Sequence, residues 1–336
     1  MEPGDSALGF EVKLFDSLDE VAADAGGALD RFPSLFERLD WFRLVGAHCA
    51  PPGRLLAARA RDGDRSAWLF LAAKGGRAEA WRCWYSLRFG LVGDAQGAEA
   101  IARALRKGLS RLEIAPLDDP GPLAAAFRRA GWATFLSPAT TSWRIDTSGQ
   151  DFEAYWATRP GKLRNTARRK AKAAGLDIEI YRDFDPAGWA DYEEVYAASW
   201  KPEEGSPAFL RALAEREGRA GRLRLGIARK EGRALAAQLW TIEAGTAWIH
   251  KLAYREDSKA LSPGTVLSTA MFRAALDEDR VSRIDYGTGD DGYKRDWMAE
   301  RGTLWRLEAF NLASPRGLVG AARAGLSALV RRARSR

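Results

Sequence analysis

The spacing of hydrophobic residues predicts strands and helices in mixed order along the whole chain. In the first half, it predicts strands at residues 10–15, 54–61, 67–74, 79–87, 111–116 and 140–145, and helices at 18–49, 99–108 and 122–130. In the second half, it predicts strands at 176–181, 222–229, 235–243, 247–254, 283–286 and 303–310, and helices at 152–175, with an interruption at Pro160-Gly161, and at 186–200, 207–217 and 265–279. We therefore expect an α/β protein with mixed central sheets flanked by helices.

The two halves of the chain share one layout. The segments that begin at Gly53 and at Gly221 each contain three predicted strands, and each is followed by a helix, a strand that ends near a carboxylate, and another helix. This self-similarity predicts two copies of one α/β unit. Residues 146–150 are polar and turn-prone, so we place a boundary there. The predicted domains are 1–150 and 151–312, followed by a basic C-terminal helix or tail over 313–336.

Residues 247–297 form the most distinctive stretch of the sequence. A predicted strand leads to Ser262-Pro263-Gly264, a helix follows, and a second strand ends in the glycine- and aspartate-rich segment 287–292. A strand, a glycine-bearing loop, a helix and a strand can together present backbone N–H groups to a phosphate at the helix N-terminus. We interpret this stretch as the active-site unit of a transferase.

The composition limits the class of protein. A net charge of +7 favours anionic partners such as phosphates, nucleic acid or anionic lipid, although a solvated surface explains it equally well. Two cysteines and two histidines, widely spaced, argue against a metal site and a disulfide framework. Residues 1–16 contain no apolar run, and no segment offers about 18 uninterrupted apolar residues, so we expect neither a signal peptide nor a transmembrane helix. These features predict a cytoplasmic protein.

Several motifs of the second half occur together in one known family. They are Lys162-Leu163-Arg164-Asn165 to Gly175, the strand pair around Gly232, the Ser262-Pro263-Gly264 loop, and the run from Asp285-Tyr286-Gly287 to Tyr293-Lys294 with Trp297. In this order they resemble the CelD-like branch of the GNAT acyltransferase superfamily. That branch is related to the FemAB aminoacyl transferases, which also have tandem GNAT units. The resemblance covers about residues 151–310 and implies a tandem GNAT-like fold with a degenerate first domain.

The resemblance also implies a donor, which is acetyl-CoA or another acyl-CoA as co-substrate. Its pantetheine would lie between splayed strands at residues 247–254 and 283–286. Its pyrophosphate would contact the loop and helix start formed by Leu261, Ser262, Pro263, Gly264 and Thr265. This loop has one glycine where the usual GNAT loop has several. An ordinary capped helix start is the structural alternative for these residues.

Acyl transfer needs a base for the nucleophile, stabilisation of the developing oxyanion, and close positioning of the reactants. His250 is the candidate base because the pKa of an unperturbed histidine is about 6.5. Strand alternation places His250 and Trp248 on one face and Ile249 and Lys251 on the other. A histidine that only packs across strands is the structural alternative.

Three further candidates for the catalytic site lie at the end of the stretch. Asp285 ends a strand and could act as a base or orient the acceptor, with turn formation as the alternative. Tyr293 could donate a hydrogen bond, and Lys294 could hold an anionic group. A solvated surface is the alternative for both.

Residues 159–172 carry seven basic residues and no acidic ones. Arg164, Arg168 and Lys172 are spaced four apart, so they share one helix face. Together with Lys162, and with Lys251 on its strand, they are candidates for binding coenzyme phosphates, an acidic acceptor or tRNA. A solvated helix face is the alternative. No pattern of stacking aromatic residues accompanies these cations, which argues against nucleic acid.

From Ser314 to the end, the chain carries six arginines and no acidic residue. Leu318, Ala322, Leu326 and Leu329 line one side of a predicted helix, and arginines 316 and 323 lie opposite. This pattern fits a helix that lies on an anionic membrane surface, which would place the protein at the inner face of the membrane. A docking helix and a frayed end are the alternatives.

We therefore predict an acyltransferase that transfers an acetyl or acyl group from a CoA thioester to an amine or hydroxyl acceptor without a metal. The family resemblance suggests an acceptor in polysaccharide or cell-envelope biosynthesis. One alternative is a FemAB-like transferase that depends on aminoacyl-tRNA, although no sustained heptad run indicates the coiled-coil insertion common in those enzymes. The other is a non-catalytic GNAT-fold scaffold of polysaccharide assembly.

Overall fold

The structure, a computed structural model, describes residues 9–334. The described part divides into two compact units. Unit 1 comprises residues 9–140 and 303–334, and unit 2 comprises residues 141–302. Two long strands, β7 (Trp132–Asp146) and β13 (Glu300–Asn311), cross the boundaries between the units.

Unit 1 contains a mixed sheet and five helices among its described residues. Its other strands are β1 (Glu11–Phe15), β2 (Arg54–Asp62), β3 (Arg65–Lys74), β4 (Arg77–Ala80), β5 (Val92–Gly93) and β6 (Arg111–Leu117), and its helices are α1 (Leu18–Ala25), α2 (Leu39–His48), α3 (Ala98–Leu105), α4 (Gly121–Arg129) and α11 (Pro315–Arg334). The strand order is β1-β2-β3-β4-β6-β13, and β5 pairs with β3. All these pairs are antiparallel except β4 with β6.

Unit 2 has the same kind of architecture. Its strands are β8 (Asp177–Tyr181), β9 (Leu223–Lys230), β10 (Arg233–Glu243), β11 (Thr246–Tyr254) and β12 (Arg283–Thr288), and its helices are α5 (Phe152–Ala157), α6 (Gly161–Ala174), α7 (Pro186–Ala197), α8 (Pro207–Arg219), α9 (Pro263–Arg273) and α10 (Lys294–Trp297). The strand order is β7-β12-β11-β10-β9-β8, in which β11 and β12 are parallel and the other pairs are antiparallel.

The helix boundaries of unit 2 follow from local capping chemistry. Asp151, Asp185 and Ser206 each accept a hydrogen bond from a first-turn amide of α5, α7 and α8 respectively. A proline follows the cap of α7 and of α8, where a missing N–H costs nothing. Gly175 ends α6 with φ 55°, a left-handed conformation that glycine adopts without strain.

The predicted repeat is visible in the pairing of the strands. In each unit an antiparallel series, β1 to β4 or β8 to β11, leads through a helix to a strand that pairs in parallel with the last member of the series. The connecting helix is α3 in unit 1 and α9 in unit 2. The predicted fold class, an α/β protein with mixed sheets flanked by helices, is thus confirmed.

Several predicted boundaries differ from the structure. The strand predicted at 79–87 ends at Ala80, and the strand predicted at 140–145 begins much earlier, at Trp132. The helix predicted over 18–49 is divided into α1 and α2 by short 3₁₀ turns, because Gly26 and Gly27 both adopt positive φ. The helix predicted from 265 begins two residues earlier, at Pro263.

Candidate active site

The centre of unit 2 is the short parallel ladder between β11 and β12. It contains three residue pairs, Thr246 with Arg283, Ala247 with Ile284, and Trp248 with Asp285. Both strands continue past the last pair, β11 to Tyr254 and β12 to Thr288. The two strands therefore diverge where the resemblance implied that a pantetheine arm would lie. The role in binding stays a prediction.

A β-bulge interrupts β11 immediately after the ladder. The register with β10 pairs Trp240 with Ile249 and Leu239 with Lys251, so His250 is the extra residue on β11. The strict alternation that the sequence predicts for this strand is therefore broken at His250.

The bulge changes the face on which Lys251 lies. Ile249 packs in the core beside α9. Lys251 points to the other side of the sheet, where its Nζ lies 2.8 Å from the carboxylate of Glu204 and 5.3 Å from the ring centroid of Tyr196 on α7. The prediction that Ile249 and Lys251 share a face is wrong, because the extra residue shifts the alternation by one position.

His250 shares the face of Lys251. Its Nε2 lies 2.9 Å from Thr241 Oγ1. Thr241 follows Trp240, whose ring packs edge-on against Phe272 in the core beside α9, so Thr241 points to the opposite face of β10. His250 and Lys251 are thus brought together on the side of the sheet that α7 covers.

Burial lowers the pKa of His250 to about 4, against the charge of Glu217 and with help from the charge of Lys251. At neutral pH the imidazole is therefore uncharged and can accept a proton. Its protonated form is unstable in this environment, because burial disfavours charge. A pKa of about 4 makes the ring a weak base at neutral pH, so the role of His250 as the base stays a prediction.

The segment before α9 forms a tight entry to that helix. Ser262 adopts φ 54° and ψ 46°, which is uncommon for a residue with a side chain, and its carbonyl accepts hydrogen bonds from the amides of Thr265 and Val266. Gly264 is buried, and a Cβ there would lie 3.1 Å from Cδ1 of Tyr254. With Leu261 and Pro263, these residues bring the backbone of the helix start close to the end of β11.

Asp285 is buried at the last pair of the ladder. Its Oδ1 accepts a hydrogen bond of 2.7 Å from the amide of Gly287, a residue with φ 66°. The carboxylate thus fixes the turn that follows β12, in agreement with the alternative of turn chemistry. Its participation in catalysis stays a prediction.

Lys294 and Tyr293 are packed inside the unit, and neither is a solvated surface residue. The ammonium of Lys294 donates to the carbonyls of Thr288 and Gly289, at 2.7 and 3.3 Å, and forms an ion pair of 3.3 Å with Asp291. Burial lowers the pKa of Lys294, and Asp291 opposes that shift. Tyr293 packs edge-on against the ring of Tyr286, and burial raises its pKa. Both residues hold the loop beyond β12 in place.

The basic residues of α6 lie beside the start of α9. Leu163, Ala167 and Ala174 form the inner face of α6, and Lys170 reaches the carbonyl of Ala260 at 2.5 Å. The outer face is exposed and carries the predicted anion-binding residues Lys162, Arg164, Arg168 and Lys172. These four cations and the helix start therefore lie on the α9 side of the sheet, whereas Lys251 lies on the other side.

A cleft of about 580 Å³ opens between α7, the segment after it, and α8. Its lining includes three aromatic residues of α7 and a set of charged residues, which are Trp189, Tyr192, Tyr196, Glu193, Lys201, Glu203 and Glu204. Trp189 is buried, and no hydrogen-bond acceptor for its Nε1 is found among residues 9–334. Glu204 and Tyr196 join this cleft to Lys251 and hence to the bulge.

The described residues 9–334 contain no group of histidine, cysteine, aspartate and glutamate side chains arranged to hold a metal ion. Within the same range, no helix is both long and apolar enough to cross a membrane.

One segment of unit 2 matches the model of a known protein family. Residues 159–295 match the family model described as an acetyltransferase (GNAT) domain. This segment is a GNAT-fold acetyltransferase domain. It contains the ladder, the bulge, the loop before α9 and the basic helix α6. No curated protein sequence matches the chain.

Solved structures with a similar fold extend over both units. FemX matches with a TM-score of 0.62 and 11% identity, over 89% of this chain and 96% of its own. The C-terminal domain of a putative lysylphosphatidylglycerol synthetase from Agrobacterium fabrum matches with a TM-score of 0.59 and 14% identity, over 91% and 96%. L-PGS from Bacillus licheniformis matches with a TM-score of 0.50 and 12% identity, over 79% and 85%. At this level of identity, the likeness concerns the fold alone.

The sequence-based prediction missed the aromatic cleft of the GNAT domain. Trp189, Tyr192 and Tyr196 are spaced three and four apart, which is also the spacing of an ordinary buried helix stripe. The signal that could have found the cleft is the combination of this stripe with the carboxylates at 193, 203 and 204 in an otherwise basic protein.

Proposed function

We propose that the GNAT domain transfers an acyl group from a CoA thioester to an amine or hydroxyl acceptor. The observation that carries the proposal is the β11–β12 ladder, which ends at Trp248 and Asp285 directly before the bulge at His250. Diverging strand ends leave backbone groups and side chains facing a common space. That space adjoins a helix N-terminus on one side and a base on the other.

The donor would bind on the α9 side. Amide groups at the start of a helix stabilise phosphate by hydrogen bonding and by the helix dipole. The segment from Leu261 to Thr265 supplies such a start, and the exposed cations of α6 lie beside it. In this proposal the pyrophosphate contacts the helix start, and Arg164, Arg168 and Lys172 neutralise the remaining phosphate charge.

The acceptor would bind on the α7 side, in the aromatic cleft. Three carboxylates line this cleft, and Lys201 together with Lys251, the ion-pair partner of Glu204, balances two of them. The remaining negative charge favours a cationic amine. The ammonium group of the acceptor would first release one proton to solvent. The neutral nitrogen would then attack the thioester carbonyl carbon, the carbon–sulfur bond would break, and His250 would take the second proton from the nitrogen and return it to the leaving thiolate. Asp285, Tyr293 and Lys294 would orient the reactants through the loop they hold. Membership of the CelD-like branch, with a polysaccharide or cell-envelope acceptor, belongs to this proposal.

Two alternatives use the same fold. The exposed basic face of α6 and the fold similarity to FemX favour an aminoacyl-tRNA donor, which would contact that face through its backbone phosphates. A scaffold of polysaccharide assembly would use the fold without a donor. The response to donor molecules separates the three functions.

The test is a thermal-shift comparison of CoA, acetyl-CoA, longer acyl-CoAs and aminoacyl-tRNA. A ligand at about 100 times its Kd stabilises the folded state by about 2.7 kcal/mol, which is a measurable rise in Tm. We expect this rise with an acyl-CoA, and its loss in Gly264→Trp, because the new side chain would fill the narrow space beside Tyr254.

The matched control for this substitution is Gly108→Trp in unit 1, since Gly108 is exposed and a Cβ there would have no neighbour within 4 Å. Stabilisation by aminoacyl-tRNA alone would favour the first alternative. No response to any donor would contradict the acyltransferase proposal and favour the scaffold.

A further inference from the structure

Helix α11 packs on unit 1 through its smallest residues. A Cβ on Gly320 would lie 2.5 Å from Cδ1 of Phe310, and a Cβ on Gly317 would lie 2.0 Å from the carbonyl oxygen of Asn311. A Cβ on Gly325 would lie 3.9 Å from Cε1 of Phe135. These close approaches fix the orientation of α11, because only glycine allows the helix to come so near at 317 and 320.

The large apolar side chains of α11 point away from that contact. Leu318, Val319, Leu326 and Leu329 are exposed by 51, 53, 65 and 66%. At about 100° per residue, they centre on the side of the helix opposite Gly320. We call these four residues the leucine face. Exposed apolar side chains occurring singly need no explanation, but three leucines and a valine on one side of one helix form a patch typical of a binding surface.

The charges of the same helix are of one sign. Arg316 and Arg323 are exposed and lie on a flank of the leucine face. The sequence pattern predicted that they would lie opposite the apolar side. The segment from Ser314 to the end contains four further arginines and no acidic residue. An apolar face with arginines along its edge matches the layers of a membrane surface, in which acyl chains lie beneath anionic headgroups.

We propose that the leucine face of α11 binds the surface of an anionic membrane. The leucines would enter the boundary between headgroups and acyl chains, and the arginines would contact lipid phosphates. A second copy of the chain fits this surface less well. Two α11 helices packed by their leucine faces would bring their arginines together without any carboxylate of α11 to pair them.

The experiment is co-sedimentation of the full chain with vesicles of phosphatidylcholine alone and of phosphatidylcholine with about one-third phosphatidylglycerol. We expect binding to the second composition only, with an apparent Kd that rises as salt is added, because salt screens the attraction of arginine to the surface. Circular dichroism and Tm confirm that each variant is folded.

Two variants test the apolar residues and the arginines of α11 separately. Leu318→Ser combined with Leu326→Ser and Leu329→Ser should weaken binding by at least about a hundredfold, because the anchoring apolar area is lost. Arg316→Gln combined with Arg323→Gln should weaken it about thirtyfold, since each basic residue near an anionic surface contributes about fivefold. Leu136→Ser combined with Arg128→Gln, two exposed positions of unit 1 outside α11, should bind like the unchanged protein.

Three outcomes would overturn the proposal. The first is equal sedimentation with and without phosphatidylglycerol. The second is undiminished binding by the leucine variant. The third is a chain that ignores vesicles and forms a dimer that the leucine variant dissociates, which would assign the leucine face to a second copy.

Discussion

The parallel strand pairs of the two units begin alike and end differently. In unit 1, the ladder pairs residues 77–79 of β4 with 111–113 of β6, and β4 ends one residue later at Ala80. In unit 2, the ladder pairs 246–248 of β11 with 283–285 of β12, and β11 continues for six residues through the bulge at His250. The scaffold of the repeat is therefore three residue pairs long in both units, and only unit 2 extends it.

In unit 1, the chain itself fills the place beyond its ladder. After Ala80 it forms a buried segment, and the amide of Phe89 in that segment donates a hydrogen bond of 2.9 Å to the carbonyl of Pro116 on β6. Trp81, Tyr85 and Phe89 are all nearly inaccessible. A strand whose backbone groups already form hydrogen bonds within the chain has none left for an extended ligand. We therefore expect a structural role for unit 1 and a catalytic role for unit 2.

The strongest test of this contrast is to remove the side chain that closes unit 1. Phe89→Ala should lower the free energy of unfolding by about 3–5 kcal/mol, because Phe89 is buried against the ring of Phe42 and the vacated volume cannot refill. The Kd of the folded protein for acyl-CoA should not change. Urea unfolding measures the first quantity, and calorimetric titration measures the second.

The matched control lies in the same segment. Trp84 is 80% exposed, so Trp84→Ala should change the free energy of unfolding by less than about 0.5 kcal/mol. A folded Phe89→Ala protein with weakened acyl-CoA binding would contradict the division of roles between the units.

The same segment shows why sequence alone misjudged unit 1. Apolar residues occupy every second position from Trp81 to Phe89, which is the sequence pattern of a strand, but Ser86 and Arg88 between them are buried as well. Alternation records burial, but a strand also needs a partner with a free edge. Which strand can serve as that partner depends on the rest of the fold. The local sequence therefore does not reveal that this segment pairs with no strand beyond Ala80.

In unit 2, the sequence was sufficient where structure is set locally. The helix starts at Asp185 and Ser206 and the stop at Gly175 depend on neighbouring residues and were placed within about one residue. The bulge at His250 depends on the register with β10, which no neighbouring residue specifies. The order of the elements was therefore predictable, whereas the face on which Lys251 lies was not.

The second test concerns the residue that the extension of β11 contributes. His250→Gln should lower kcat about a hundredfold, at the lower end of the effect of removing a general base.

The same substitution should also make the free energy of unfolding depend less on pH below neutrality. The pKa of His250 is about 4 in the folded protein and 6.5 as its reference value. Between these values, the unfolded chain binds a proton that the folded protein does not.

The contribution of His250 to the free energy of unfolding is therefore largest above pH 6.5, and it decreases as the pH falls towards 4. Between pH 7 and pH 5, the unchanged protein should lose about 2 kcal/mol more in free energy of unfolding than His250→Gln does. Urea unfolding at both pH values measures this difference. His48, exposed in unit 1, provides the control, since His48→Gln should keep the full loss. If kcat at pH 6 to 9 stayed unchanged in His250→Gln, the role of base would fail.

The smallest expected effect comes from the exposed cations of α6. Arg164→Gln, Arg168→Gln and Lys172→Gln together should raise the Kd for acyl-CoA about fivefold and make binding less dependent on salt, since solvent-exposed charges interact weakly. Arg54→Gln, Lys107→Gln and Arg128→Gln, which remove the same charge from unit 1, should leave that Kd unchanged. An equal effect of both sets would mean that only the net charge of the protein matters, and that α6 provides no binding site.

The same α6 variant also tests the tRNA-dependent alternative. A loss of more than about a hundredfold in tRNA affinity, with acyl-CoA binding intact, would favour that alternative, because a polyanion binds through many phosphate contacts and each lost contact weakens it further.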